Sequence, residues 1–137
     1  MKSLVKAIRG ADREGLDPLD YHLAAIERTL RALDATGARK NPEETALWVD
    51  LDLLLSDAFL IYGSHLLSGR VKPETIDPEW LANRRGADLS LVLQKALDSG
   101  QITETLEGLH PPQPGYSRLK DALANYRRFA DKGAGEI

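Results

Sequence analysis

Apolar residues recur along this chain at spacings of three and four, in blocks that proline and glycine separate. Leu4, Ala7, Ile8 and Ala11 share one face of a helix expected over residues 3–13, with Gly15 ending it. Leu19, Leu23, Ile26, Leu30 and Leu33 form a second stripe, which predicts a helix from Pro18 to Ala35 stopped by Gly37. From Pro42 to Ser68 the pattern changes. Leu47, Leu51, Leu54, Leu55, Ala58 and Tyr62 cover one side, while Val49, Leu53, Leu60 and Leu67 cover another. A helix apolar on several faces needs neighbours around it. About 25 residues in one helix span roughly 38 Å. This segment is therefore expected to be the central and most buried helix, with Leu51, Leu54, Leu55, Ala58, Phe59 and Tyr62 in the main core and Gly63 as the place for a kink.

Beyond Gly69 the elements shorten. Pro78 to Asn83 reads as a short helix carrying Trp80. Leu89, Val92, Leu93, Ala96 and Leu97 make another, capped by Asp88 and stopped by Gly100. Ile102, Leu106 and Leu109 suggest a third, ending at the rigid run His110-Pro111-Pro112-Gln113-Pro114-Gly115. The last helix carries Tyr116, Leu119, Leu123, Tyr126 and Ala130, and Gly133 stops it. Three Asx-Pro pairs, Asp17-Pro18, Asn41-Pro42 and Asp77-Pro78, mark helix starts. The first residue of each pair can accept a bond from an orphan amide, and proline at the first helical position loses no useful donor. Glu44, three residues after Asn41, completes a capping-box pattern. No internal repeat and no alternating strand pattern of useful length appears. The expected fold is all-α, an irregular orthogonal bundle of about six to seven helices around the long central one.

Composition narrows the function classes. With 137 residues, 42% apolar and 28% charged, the chain is an ordinary candidate for one domain with one core. Net charge is −3, and acidic neighbours interrupt the basic pairs Arg39-Lys40, Arg84-Arg85 and Arg127-Arg128. A nucleic-acid partner would call for a basic surplus or stripe, so none is expected. The absence of cysteine excludes disulfides, thiolate zinc sites and a cysteine nucleophile within this chain. The basic start at Lys2 and Lys6 is followed by no apolar stretch of signal-peptide type. Asp50, Asp52, Asp57 and His65 interrupt the longest apolar region, so no membrane span is expected.

Candidate chemistry is sparse. His22, His65 and His110 have no histidine at a metal-binding spacing, and no H-E-x-x-H or E-x-x-H pair occurs. Asp50 and Asp57, seven residues apart, share a helix face and could act as an acid/base pair. The better expectation for Asp57, set between Leu55 and Phe59, is a buried carboxylate bonded to tyrosine or arginine. Ser56, Ser64 and Ser68 are potential nucleophiles, but Ser64 and His65 point about 100° apart on a helix and cannot form a dyad. No G-x-S-x-G elbow, Walker loop or dinucleotide fingerprint exists. Trp48, Trp80 and the four tyrosines are scattered, as core and boundary residues are. No catalytic, cofactor or metal residue is assigned, no cofactor is expected, and the binding residues stay unknown.

Several motifs stand in order. They are Gly15-Leu16-Asp17-Pro18-Leu19-Asp20-Tyr21-His22-Leu23, then Leu51-Asp52-Leu53-Leu54-Leu55-Ser56-Asp57-Ala58-Phe59-Leu60 with Tyr62, and His65-Leu66-Leu67-Ser68-Gly69-Arg70-Val71. Leu109-His110-Pro111-Pro112 and Pro114-Gly115-Tyr116-Ser117-Arg118-Leu119 follow. Together, over roughly Gly10 to Gly133, they resemble the helical scaffold domain of the long, multidomain murein L,D-transpeptidases. The resemblance implies a parent enzyme, exported to the bacterial cell envelope or periplasm, that cross-links peptidoglycan stem peptides. It also implies partners within that parent. One is a catalytic domain with a cysteine in Ser-x-Gly-Cys and a histidine nearby; another is a small peptidoglycan-binding domain. Peptidoglycan itself is a further possible partner. This chain has no cysteine, so no catalytic residue carries over. It is expected to be an excised scaffold module at 1–133, with 134–137 the start of a truncated linker and Met1 supplied by expression. The competing expectation is a stand-alone helical adaptor that binds a protein partner through an apolar groove.

Overall fold

The computed structural model describes residues 1–37, 41–72, 75–79 and 85–133. Six α-helices and two 3₁₀ turns make up the described part: α1 (Lys2–Arg9), a turn at Ala11–Glu14, a turn at Pro18–Tyr21, α2 (Leu23–Thr36), α3 (Pro42–Ser68), α4 (Leu89–Ser99), α5 (Ile102–Glu107) and α6 (Pro114–Gly133). No strand occurs among the described residues. The fold is the expected all-α bundle, and α3 supplies more buried residues than any other helix.

Local chemistry sets most of the boundaries. Asn41 accepts a bond from the Glu44 amide at 2.7 Å and opens α3 with Pro42 in its first turn. The capping box is only half made, because the Glu44 carboxylate turns to accept from the Trp48 indole at 3.3 Å. Asp88 accepts from the amides of Ser90 and Leu91, and Gly100 closes α4 in the left-handed conformation (φ 70°). Pro114, expected in the connector, instead starts α6. Residues 80–83, most of the expected short helix with Trp80, lie outside the described residues, as do Arg39-Lys40, Arg84 and the expected linker 134–137.

Two expected helices are each divided. The first ends at Arg9, and the 3₁₀ turn at Ala11–Glu14 completes the segment. The second does not begin at Pro18. Asp17 caps a 3₁₀ turn, accepting from the Leu19 amide at 2.9 Å, and His22 then adopts a left-handed conformation (φ 58°) before α2 begins. That break rotates the stripe, leaving Leu19 exposed while Ile26 is fully buried.

One core runs through the bundle. Leu4, Val5 and Ile8 of α1 and Ile26 of α2 meet Leu51, Ala58, Phe59, Tyr62, Leu66 and Leu67 of α3. Ala96, Ile102, Leu106 and Leu109 close the other side. Leu54 and Leu55, expected at the centre, are only partly buried and pack against its margin. Gly63 lies within an uninterrupted helix and serves close packing: a Cβ there would stand 3.2 Å from Leu109 Cδ1 and 3.6 Å from Leu89 Cδ2.

Chemical denaturation should show this grading along α3. Leu51→Ala is expected to cost about 2–5 kcal/mol, the range for a truncated core leucine. Leu55→Ala should cost clearly less, and equal losses would contradict the placement of Leu55 at the margin. Gly63→Leu should destabilise by about 1–3 kcal/mol through crowding against Leu109 and Leu89.

Candidate functional site

Three consecutive residues of the first motif are each tied to α3 or the residues just after it. Asp20 pairs with Arg70, which follows the end of α3, at 2.9 Å. Tyr21 is fully buried, and its hydroxyl lies 2.9 Å from His65 Nδ1. The phenol donates in that bond when the His65 ring proton sits on Nε2. The Tyr21 ring also meets Tyr62 edge-on, with centroids 4.9 Å apart, and His65 at 5.6 Å. His22 Nε2 stands 2.6 Å from Asp57 Oδ2. The same residue launches α2, since its carbonyl accepts from the Ile26 amide at 2.9 Å. The left-handed backbone at His22 is an uncommon conformation that this pairing helps to hold.

Asp57 is therefore not the buried carboxylate the sequence suggested. Its side chain is 56% exposed, and its partner is histidine rather than tyrosine or arginine. The break before α2 is the reason, because it swings His22 onto α3. A carboxylate-oriented imidazole can serve as a base, but such chemistry needs a nucleophile within reach. Ser68 donates its hydroxyl to the Ser64 carbonyl at 2.9 Å, and Ser56 lines an apolar groove elsewhere. Asp50 is exposed on the same helix. Among the described residues, no group of three or more histidines and carboxylates could hold a metal ion.

A second polar node joins the ends of the chain. Glu14, whose side chain is only 9% exposed, accepts from Lys120 Nζ at 2.6 Å and from the Tyr116 hydroxyl. His110 Nε2 lies 3.6 Å away. The His110 and Tyr116 rings are 5.5 Å apart, and the Lys120 ammonium sits 5.7 Å from the Tyr116 ring centre. Beside this node is a cavity of about 350 Å³, bordered by Lys6, Arg13, Tyr62, Leu106, Glu107 and His110. Arg127 adds a bond to the Asp12 carbonyl. These contacts fasten α6 to the Ala11–Glu14 turn; no residue of α6 is buried.

Three tyrosines are held in the neutral form. Burial pushes Tyr21 up to about 12, with the Asp20 charge adding to it. Burial also raises Tyr62, helped by the Glu14 charge, and Tyr116, helped by its bond to Glu14. Each hydroxyl is thus a donor rather than an acid near neutral pH. The sequence singled out His22, His65, His110 and Asp57; the structure engages all four, in separate pairs rather than one centre. Glu14 was missed, because its partners lie 102 and 106 residues away and no local pattern marks it.

A family model described as a scaffold domain matches residues 1–123. No curated protein and no solved structure matches the chain.

Removing the Glu14 node should loosen α6 first. Glu14→Ala is expected to cost about 1–3 kcal/mol, since Tyr116 and Lys120 lose a charged acceptor. Hydrogen exchange should rise across α6 while the α3 core stays protected. The tyrosines set an alkaline limit. A folded value of about 12 for Tyr21, against an ordinary value of 10, means the unfolded chain releases its proton first. That contribution is complete below pH 10 and fades as pH rises towards 12. Tyr21→Phe should therefore flatten the fall in melting temperature between those limits.

Proposed function

The chain belongs to the scaffold-domain family, and on that premise we propose that it is a non-catalytic module of a murein L,D-transpeptidase. In this reading it positions the catalytic and peptidoglycan-binding domains of one parent protein in the bacterial cell envelope or periplasm. The observation that carries it is what the motif residues do. Asp20, Tyr21, His22, Asp57, His65 and Arg70 fasten the Pro18–Tyr21 turn and α2 to α3 and the residues just after it, and Tyr116 fastens α6 to Glu14. These side chains are engaged with one another, which supports the reading of a platform. With no cysteine in the chain, the sulfur nucleophile of such an enzyme would sit in another domain. Among the described residues, no helix is long and apolar enough to cross a membrane.

A second reading, a stand-alone adaptor, is favoured by one feature. An apolar groove of about 210 Å³ opens between Leu4, Trp48, Leu55, Leu93, Leu97 and Ile102. That volume falls below the range of ordinary ligand pockets and suits a few apolar side chains of a protein partner. Light scattering of the chain with candidate partners tests this reading.

The leading reading is tested in the parent protein. Its coding frame should carry a Ser-x-Gly-Cys domain, and an uninterrupted frame without one would overturn the proposal. In that parent, Leu51→Ala should lower cross-linking activity in step with loss of scaffold folding, at unchanged reactivity of the cysteine towards a small thiol reagent. Full activity with a melted scaffold would also refute it.

A further inference from the structure

Two helices present apolar stripes to solvent. On α6, Leu119, Tyr126 and Phe129 are exposed at helical spacing, while Tyr116, Lys120 and Arg127 engage the Ala11–Glu14 turn. Tyr126 is 75% exposed and Phe129 71%. On the first half of α3, Ala46, Val49 and Leu53 form a similar stripe, with Leu53 63% exposed. Large apolar side chains grouped on one helix face mark contact surfaces more often than isolated ones do.

The charges on these two helices are opposite. α3 carries Glu43, Glu44, Asp50, Asp52 and Asp57 and has no lysine or arginine. α6 carries Arg118, Lys120, Arg127, Arg128 and Lys132 against Asp121 and Asp131. Lys120 and Arg127 are engaged with the Ala11–Glu14 turn, whereas Arg118 and Lys132 border the outer stripe. Glu43 and Asp50 border the stripe on α3. A 20-residue helix without a buried residue also gains little from its own bundle, and isolated helices are marginal in water.

We propose that the outer face of α6 docks on the outer face of α3 in a second copy of this chain. Leu119, Tyr126 and Phe129 meet Val49 and Leu53, while Arg118 and Lys132 approach Asp50 and Glu43. The α6 face of each copy meets the α3 face of the other, so two copies related by a two-fold axis close into an isologous pair. This goes beyond the scaffold reading and stands or falls separately from it, because it concerns only how copies of the chain meet.

Sedimentation velocity of the whole chain over a concentration series tests the contact. Association should grow with concentration and weaken with salt, as the screening length falls from about 10 Å at 0.1 M to about 3 Å at 1 M. Leu53→Glu and Phe129→Glu should each weaken association by at least about tenfold, the loss of one anchoring side chain. Mixing those two variants should give a one-to-one pair, since each keeps one intact face. Arg118→Glu should weaken association and Asp50→Lys should restore it in the mixture, which covers the case where an apolar variant misfolds. Unchanged circular dichroism confirms the fold of each variant. A chain monomeric up to roughly millimolar concentration would overturn the proposal and leave the faces to a different protein. Association unaffected by these substitutions would overturn it too.

Discussion

Burial of the inner side of α3 is the constraint on which the rest of the molecule depends. Leu51, Ala58, Phe59, Tyr62, Leu66 and Leu67 cannot all be shielded by one neighbour, so α1, α2 and α4 pack on α3 from different directions and α5 joins the same core by packing on α1 and α4. Their buried side chains are Leu4, Val5 and Ile8 from α1, Ile26 from α2, Ala96 from α4, and Ile102 and Leu106 from α5. Small residues set the closest approaches. Gly63 lets Leu109 and Leu89 reach the α3 backbone, and Ala58 and Ala96 are fully enclosed. Transfer of these surfaces from water supplies most of the driving force, while their shapes decide which arrangement is unique.

Polar contacts then fix what burial leaves undetermined. The turn at Pro18–Tyr21 could slide along α3 if only apolar contacts held it. Tyr21 to His65 and His22 to Asp57 pin it at two points two turns apart, and Asp20 to Arg70 adds a third. The left-handed backbone at His22 is the geometric consequence, since a continuous helix would carry that ring away from Asp57. At the other end, Glu14 holds α6 through a tyrosine and a lysine in a mostly buried setting, where charged hydrogen bonds are strongest. The bundle thus has a packed centre and one helix attached mainly by polar contacts. Such an element is expected to open at lower free energy than the core.

A platform of this kind suits a family whose members are described as scaffold domains. Side chains that elsewhere serve catalysis are here used to lock elements together. His22, His65, Asp57, Glu14, Tyr21 and Tyr116 each have a structural partner. The two outward apolar stripes, one on an acidic helix and one on a basic helix, are where such a platform can meet something else.

The one-dimensional pattern settled the helical class, the extent of α3 from the Asn41 cap to Ser68, and the ends of α4 at Asp88 and Gly100. These follow from periodicity and capping, which act within a few residues. It could not settle where the segment after Pro18 breaks, because a five-residue apolar stripe reads the same whether or not Tyr21 and His22 are drawn onto α3. Nor could it separate Leu51 from Leu55: both lie on an apolar side, but only the surrounding helices decide which is enclosed. Glu14 carried no local signal at all, since its partners come from α6, over one hundred residues later. Local hydrogen bonding and hydrophobic period are short-range and were legible in the sequence. The pairing of charges and the depth of burial are long-range, and only the tertiary structure decided them.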